Sequence, residues 1–175
     1  MRSFRFFDHL PFDFSNPVSY SEDLDKYIYA QCHEGVTFMY LFYYITEDCY
    51  QRLKEVKNAD EASPEAEDDL MLAAADMPRA QAFRPGVWPG LDKPQPASWL
   101  YCKEDGRFYY HVFHNGRHYA VAPGSFIGNE VSELVRTVID GKEVVLGKGF
   151  EVDRFEGEED WKTWYEERKN GGMPV

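Results

Sequence analysis

The sequence predicts an α+β fold, with a mainly antiparallel sheet made of a three-stranded meander plus a hairpin and with helices packed on it. Two turn dipeptides, Asp105-Gly106 and Asn115-Gly116, separate aromatic runs as they do in β-meanders. Elsewhere, apolar side chains recur at helical spacing. With 175 residues, 43% of them hydrophobic and 29% charged, the chain has the size and composition of a single globular domain spanning 1–175.

The first third of the chain is predicted to mix strands and helices. A short Phe-rich strand falls within residues 4–14 and is broken by Pro11. A helix is predicted at 20–34, because Ser19 and Glu22 fit a capping box and Gly35 supplies a stop; the apolar positions at helical spacing are Leu24, Tyr27, Ile28 and Cys32. The β-branched and aromatic run 36–45 predicts a strand buried on both faces, after which Thr46 caps a helix.

Two loops are predicted in the middle of the chain. Residues 58–69 contain six acids and no base, a composition typical of a solvated acidic loop. A short helix is expected at 64–75, with Pro64 in its first turn. Residues 77–97 hold five of the ten prolines, so regular structure is not expected in this Pro-rich loop.

The last third is predicted to begin with the meander, which covers residues 98–121. A helix capped by Asn129 and closed by Gly141 follows, with its apolar stripe formed by Val131, Leu134, Val135, Val138 and Ile139. A hairpin over 143–155 is expected to turn at residues 147–149. A final helix is predicted at 158–169, because its acids lead and its bases trail in the order that suits the helix dipole.

Composition and charge exclude several classes of function. With 31 acidic and 19 basic residues, the net charge of −12 repels phosphate backbones and anionic membranes, so neither a nucleic acid nor a membrane is the expected partner. The N-terminus does not have the apolar core of a secretory signal, and the apolar run 36–45 is too short for a membrane span. Three cysteines without a Cys-x-x-Cys pair indicate reduced thiols and a cytoplasmic location.

One candidate site lies on the meander. Alternation along its strands is expected to place Cys102, His111 and His118 on one face, with Cys102 opposite Tyr109 and His111 opposite Ala120. The other face, which is more apolar and therefore the expected core side, carries Trp99, Tyr101, Phe108, Tyr110, Val112, Tyr119 and Val121. A thiol and two imidazoles in reach of one another suit a small enzyme or a metal-binding or ligand-binding protein. The alternative is that the three side chains only pack and form hydrogen bonds.

The favoured hypothesis is a non-catalytic acidic protein that recognises a basic protein partner, as an inhibitor, an immunity protein or an adaptor does. The sequence contains no strong catalytic or cofactor-binding motif, and no cofactor is predicted. Acids and aromatic residues interleave near the C-terminus, where exposed rings within an acidic rim would suit a basic surface. The predicted partner-binding residues are Phe155, Glu158, Glu159, Asp160, Trp161, Trp164 and Tyr165.

Overall fold

The structure is a computed structural model that describes residues 1–12, 18–33, 39–58, 79–83, 98–122 and 133–170. Contacts divide the chain into two compact units, whereas the sequence was interpreted as one domain. The meander unit comprises Met1–Leu10 and Arg84–Val175, and the inserted unit comprises Pro11–Phe83. Antiparallel sheet dominates the described residues and two helices accompany it, so the sheet is larger and the helices are fewer than predicted.

The described residues form strands and two helices, which are named here in their order along the chain. They are β1 (Phe4–Phe7), β2 (Val18–Ser21), β3 (Lys26–His33), β4 (Met39–Ile45), α1 (Glu47–Asn58), β5 (Arg79–Phe83), β6 (Trp99–Cys102), β7 (Arg107–His114), β8 (Arg117–Val121), β9 (Leu134–Ile139), β10 (Lys142–Val152) and α2 (Glu158–Asn170). Neither helix in this described part is long and apolar enough to cross a bilayer.

The meander unit contains a six-stranded antiparallel sheet in the order β1-β6-β7-β8-β10-β9. Its centre is the predicted meander, and the predicted Phe-rich strand adds to one edge as β1. The predicted C-terminal helix is also confirmed as α2. Its Trp161 and Trp164 pack on one face of the sheet, together with Phe4 and Phe6 of β1. The face that was expected to be the core side is buried as well, because Val112 and Tyr119 pack against residues of β9 and β10.

The predicted helix after Asn129 is wrong over its described part, because Leu134–Ile139 form strand β9. Burial alternates along this strand: Val135 and Thr137 point inward, while Leu134, Arg136 and Val138 are exposed. The same apolar residues fit both a helical stripe and a strand, and pairing with β10 selects the strand.

The predicted turn at residues 147–149 is also wrong, because β10 runs through it without reversing direction. The chain reverses at Asp140 and Gly141, whose φ angles are 50° and 78°. Residues 142–148 of β10 pair with β9, with a register shift between Val145 and Gly147, and residues 149–152 pair with β8. Gly149 then packs so close to β8 that a Cβ built on it would lie 1.9 Å from the carbonyl oxygen of Ala120.

The inserted unit contains a four-stranded antiparallel sheet in the order β2-β3-β4-β5. The predicted helix at 20–34 is wrong, because β2 and β3 form a hairpin joined by the four residues 22–25. Tyr27 and Tyr29 lie on one face of β3, and Ile28 and Ala30 on the other, so the period of two overrides the helical spacing. The hairpin bends at Asp25, which adopts a left-handed φ of 52°.

Helix α1 begins where the sequence predicts it. The Thr46 hydroxyl accepts a hydrogen bond from the Cys49 amide at 3.2 Å, which is the cap that the sequence indicates. The predicted strand before it is confirmed as β4. Cys49 and Leu53 of α1 are buried against Val18, Tyr29 and Ile45 of the sheet.

The structure tests the two predicted loops only in part. Strand β5 lies inside the Pro-rich stretch 77–97, so the expectation that this stretch lacks regular structure is wrong at Arg79–Phe83. This strand forms because its backbone pairs with β4. The rest of that stretch, and nearly all of the acidic loop 58–69 with the expected helix 64–75, lie outside the described residues.

Candidate functional site

The turn at Asn115-Gly116 has the predicted register. Both residues have positive φ, 52° and 72°, as a two-residue hairpin turn requires. Phe113 lies opposite His118, and His111 lies opposite Ala120. The two imidazoles are therefore neighbours on one face of the sheet.

The turn at Asp105-Gly106 does not have the predicted register. The loop spans four residues, Lys103–Gly106, so Cys102 lies opposite Arg107 and not opposite Tyr109. The Asp105 side chain closes this longer loop, because its Oδ1 accepts a hydrogen bond from the amide of Arg107 at 2.9 Å. The dipeptide Asp105-Gly106 therefore indicates that a turn is present but does not give its length of four residues.

The changed register keeps Cys102 on the face of the histidines but moves it along the sheet. His111 lies beside Ser98, whose carbonyl accepts a hydrogen bond from the His111 amide at 3.0 Å. Cys102 is four positions further along the chain than Ser98, a distance of about 13 Å at about 3.3 Å per residue. The predicted cluster of Cys102, His111 and His118 is therefore not formed.

Cys102 is enclosed in a local polar contact instead. Its side chain has no exposed surface, the thiol lies 3.3 Å from Oε2 of Glu104, and Nη1 of Arg2 lies 3.9 Å from the sulfur. Burial is the main influence on this thiol and raises its pKa, so the thiol stays protonated at neutral pH. Among the residues that the structure describes, no three His, Cys, Asp or Glu side chains are close enough to hold a metal ion.

We expect Cys102 to resist alkylation in the folded protein. A buried, protonated thiol is a poor nucleophile, so iodoacetamide at neutral pH should modify Cys102 at least about tenfold more slowly in buffer than in denaturant. Site-resolved mass spectrometry measures both rates. Equal rates in the two conditions would contradict the burial of this thiol.

The two histidines form a hydrogen-bonded chain with Ser98. Nε2 of His111 lies 2.9 Å from Nδ1 of His118, and Nδ1 of His111 lies 3.5 Å from the Ser98 hydroxyl. When Nε2 of His111 donates to His118, its Nδ1 accepts from the serine, and both contacts are satisfied without a charge. This arrangement supports a neutral, structural pair.

Aromatic rings surround the pair, in which His111 is buried and His118 is half-buried. Trp161 lies 5.2 Å from the ring of His111 and 4.6 Å from that of His118, and Phe155 lies 5.2 Å from each. Burial, followed by the neighbouring His118, lowers the pKa of His111 to about 3. Burial also lowers the pKa of His118. A cavity of about 560 Å³ lies between residues 1–4 and 150–154, but neither histidine lines it.

The rings of the predicted partner-binding site are part of the core. Trp161 and Trp164 are 5% and 7% exposed, and Phe155 is buried with them, so the expectation of exposed rings at this place is wrong. These rings are shielded because they pack in one apolar cluster with residues of the sheet. Tyr165 and Glu158 are half-buried, and Glu159 and Asp160 are exposed.

Two of the five carboxylates of this helix share one base. Nζ of Lys162 lies 2.7 Å from Glu159 and 3.7 Å from Glu158. The guanidinium of Arg168 lies 4.2 Å above the ring of Trp164. The meander unit as a whole contains 16 acidic and 14 basic residues, which is almost neutral.

The inserted unit carries most of the negative charge. It contains 15 acidic and 5 basic residues, so ten of the twelve net negative charges fall within Pro11–Phe83. Six of these acids lie at 58–69, where the sequence predicts an acidic loop, and the other nine are spread over the rest of the unit.

A row of tyrosines lies in the inserted unit, and the sequence analysis did not identify it. The tyrosine row consists of Tyr20 on β2, Tyr27 on β3 and Tyr50 on α1, with ring centroids 4.9 Å and 4.8 Å apart. Tyr20 is 43% exposed, and the other two rings are half-buried. In residues 18–21 and 26–30 the side chains alternate as they do in strands, and this pattern could have indicated the row. The prediction of a helix at 20–34 obscured it.

Carboxylates lie close to two tyrosines of this row. The hydroxyl of Tyr20 donates to Oδ1 of Asp25 at 2.6 Å, and this hydrogen bond is the main reason that the pKa of Tyr20 is raised. Loss of hydration, followed by the Glu47 carboxylate, raises the pKa of Tyr27. At the other end, Nζ of Lys54 lies 5.6 Å from the ring centroid of Tyr50. The row therefore combines ring faces with oriented negative charge.

Comparison of the chain with protein-family models, curated proteins and solved structures finds no match.

Proposed function

We propose that this protein is a non-catalytic acidic protein that binds a basic surface of another protein through the tyrosine row of its inserted unit. The observation that carries the proposal is the combination of three neighbouring tyrosine rings with carboxylates in the unit that holds ten of the twelve net negative charges. An inhibitor, an immunity protein or an adaptor in a reducing compartment such as the cytoplasm would have these properties.

The physical basis is that the two kinds of side chain contribute different parts of binding. Tyrosine rings held against one another lose little conformational freedom when a partner covers them, and they offer both apolar area and a polar tip. The surrounding carboxylates accelerate the encounter with a positively charged surface and repel an acidic one. The same field disfavours a nucleic acid as the partner.

The alternative, an enzyme or a metal-binding or ligand-binding protein built on Cys102, His111 and His118, has less support. It requires the thiol beside an imidazole, whereas the register of the meander moves Cys102 four positions away from the residue beside His111. The two histidines are in contact, but both ring nitrogens of His111 and Nδ1 of His118 are used by each other and by Ser98.

Affinity capture from native lysate at two ionic strengths tests the proposal. The wild-type protein is expected to retain a basic protein at about 50 mM salt and to lose it at about 500 mM salt, since screening weakens attraction between exposed charges. A variant that combines Tyr20→Ser with Asp25→Asn should lose at least about three quarters of the captured partner, as measured by quantitative mass spectrometry.

The matched control removes one ring and one carboxylate from α2 instead, by combining Tyr165→Ser with Glu159→Gln. We expect this variant to capture the same partner as the wild-type protein, provided that circular dichroism shows both variants to be folded. Loss of capture only in the α2 variant would move the binding surface to the residues first indicated by the sequence. Capture that does not respond to salt would contradict a charge-driven interaction.

A further inference from the structure

We infer that the tyrosine row recognises an arginine side chain of the partner, whose guanidinium pairs with Asp25 and lies against the ring of Tyr20. This inference rests on the proposed function and gives the chemistry of the partner's anchoring residue. It is carried by a second tyrosine–aspartate pair in the same chain, for which the chain itself supplies the arginine.

The second pair lies in the meander unit, at the loop between β6 and β7. The hydroxyl of Tyr109 donates to Oδ2 of Asp105 at 2.6 Å, and Nη1 of Arg2 lies 3.3 Å from the same oxygen. The guanidinium of Arg2 also lies 4.3 Å above the ring of Phe150. One arginine thus satisfies a tyrosine-bound carboxylate and covers an aromatic ring at the same time.

The pair in the inserted unit repeats the tyrosine hydroxyl and the aspartate carboxylate of this arrangement. Both aspartates lie in four-residue loops between antiparallel strands, and both accept a tyrosine hydroxyl at 2.6 Å. Among the described residues, no basic side chain pairs with Asp25. The ring of Tyr20 packs on Tyr27 and keeps 43% of its surface exposed. An external guanidinium would find a carboxylate and an aromatic ring, the two kinds of group that Arg2 contacts within the chain, with the ring of Tyr20 in the place of Phe150.

Arginine suits these contacts better than lysine for a geometric reason. The planar guanidinium can stack on a ring while its N–H groups point at a carboxylate, whereas an ammonium group is a compact, strongly hydrated charge. The carboxylate of Glu22 lies in the same loop as Asp25 and contributes to the raised pKa of Tyr20, so it adds negative charge near this ring. Recognition should therefore discriminate between the two basic residues at equal charge.

Two peptides of equal length and equal charge test this inference, one with arginine and the other with lysine between Gly-Ser spacers. We expect the full-length protein to bind the arginine peptide at least about fivefold more tightly, by fluorescence anisotropy at low salt. Asp25→Asn should remove most of that preference. Asparagine tolerates the left-handed φ of 52° at this position, so the loop is expected to keep its shape.

Asp48→Asn is the matched control, because it removes one charge from the same unit at a carboxylate that already pairs with Arg52. It should weaken both peptides equally and only slightly. Equal affinities for the two peptides, or equal effects of Asp25→Asn and Asp48→Asn, would overturn the inference, as would failure of both peptides to bind. Salt-sensitive capture of a basic protein would still support the proposed function in those cases, so the two failures are distinguishable.

Discussion

Gly149→Ala is expected to destabilise the meander unit by about 4 kcal/mol or more, which is a large part of the stability of an ordinary domain. The methyl group would lie 1.9 Å from the carbonyl oxygen of Ala120 and 3.0 Å from its carbonyl carbon. Both are backbone atoms of a central strand, so they cannot move aside without breaking the pairing of β10 with β8. Urea denaturation followed by tryptophan fluorescence measures the loss.

Gly141→Ala provides the comparison for this prediction. Its Cβ would meet nothing within 4 Å, but the φ of 78° disfavours a side chain. We expect a cost of about 1 kcal/mol from backbone strain alone. If both substitutions lower the free energy of unfolding by the same amount, the close approach of β8 is not the reason for a glycine at position 149.

The stability of the meander unit is expected to fall as the pH decreases from about 6.5 to about 3. In the folded state the pKa of His111 is lowered to about 3, while in the unfolded chain the imidazole takes up a proton near its ordinary pKa. Below the unfolded pKa the proton therefore favours unfolding, and the full effect is reached below the folded pKa. The difference corresponds to about 5 kcal/mol, and His118, whose pKa is also lowered, acts in the same direction.

Unfolding free energies measured in urea across this pH range test the effect. His111→Phe keeps an aromatic ring among Phe6, Phe155 and Trp161, and it should flatten the pH dependence relative to the wild-type protein. His9→Gln, which removes an exposed histidine outside this pair, is the control variant. Charged groups also face His118, since Glu158 favours its protonation and Lys162 opposes it. A wild-type slope that persists in His111→Phe would contradict the role of the buried pair.

The parts of the fold that could be predicted are those with strong local signals. Thr46 and the acids after it mark the start of α1, and the order of acids and bases marks α2. Asn115-Gly116 fixes the register of β7 and β8, because both residues accept positive φ. In each case the residues that determine the structure are adjacent in the sequence.

The wrong predictions have a common physical cause, which is that the spacing of the apolar residues fits both the period of a helix and the period of a strand. Tyr27, Ile28 and Cys32 suited a helix, and Leu134, Val135 and Val138 did so too. Pairing with the neighbouring strands of the chain decided both segments in favour of sheet. The candidate site depended on the same pairing, because Tyr20 meets Tyr27 only when β2 and β3 form a hairpin and meets Tyr50 through Tyr27.

The pairing of β1 with β6 has a consequence for the order in which this chain folds. Arg2 and Cys102, which are in contact at one edge of the sheet, are 100 positions apart. During synthesis, β1 therefore cannot pair with β6 until the whole inserted unit has left the ribosome. Closing so long a loop is entropically costly, so we expect docking of β1 to be a late and slow step, preceded by the local hairpins.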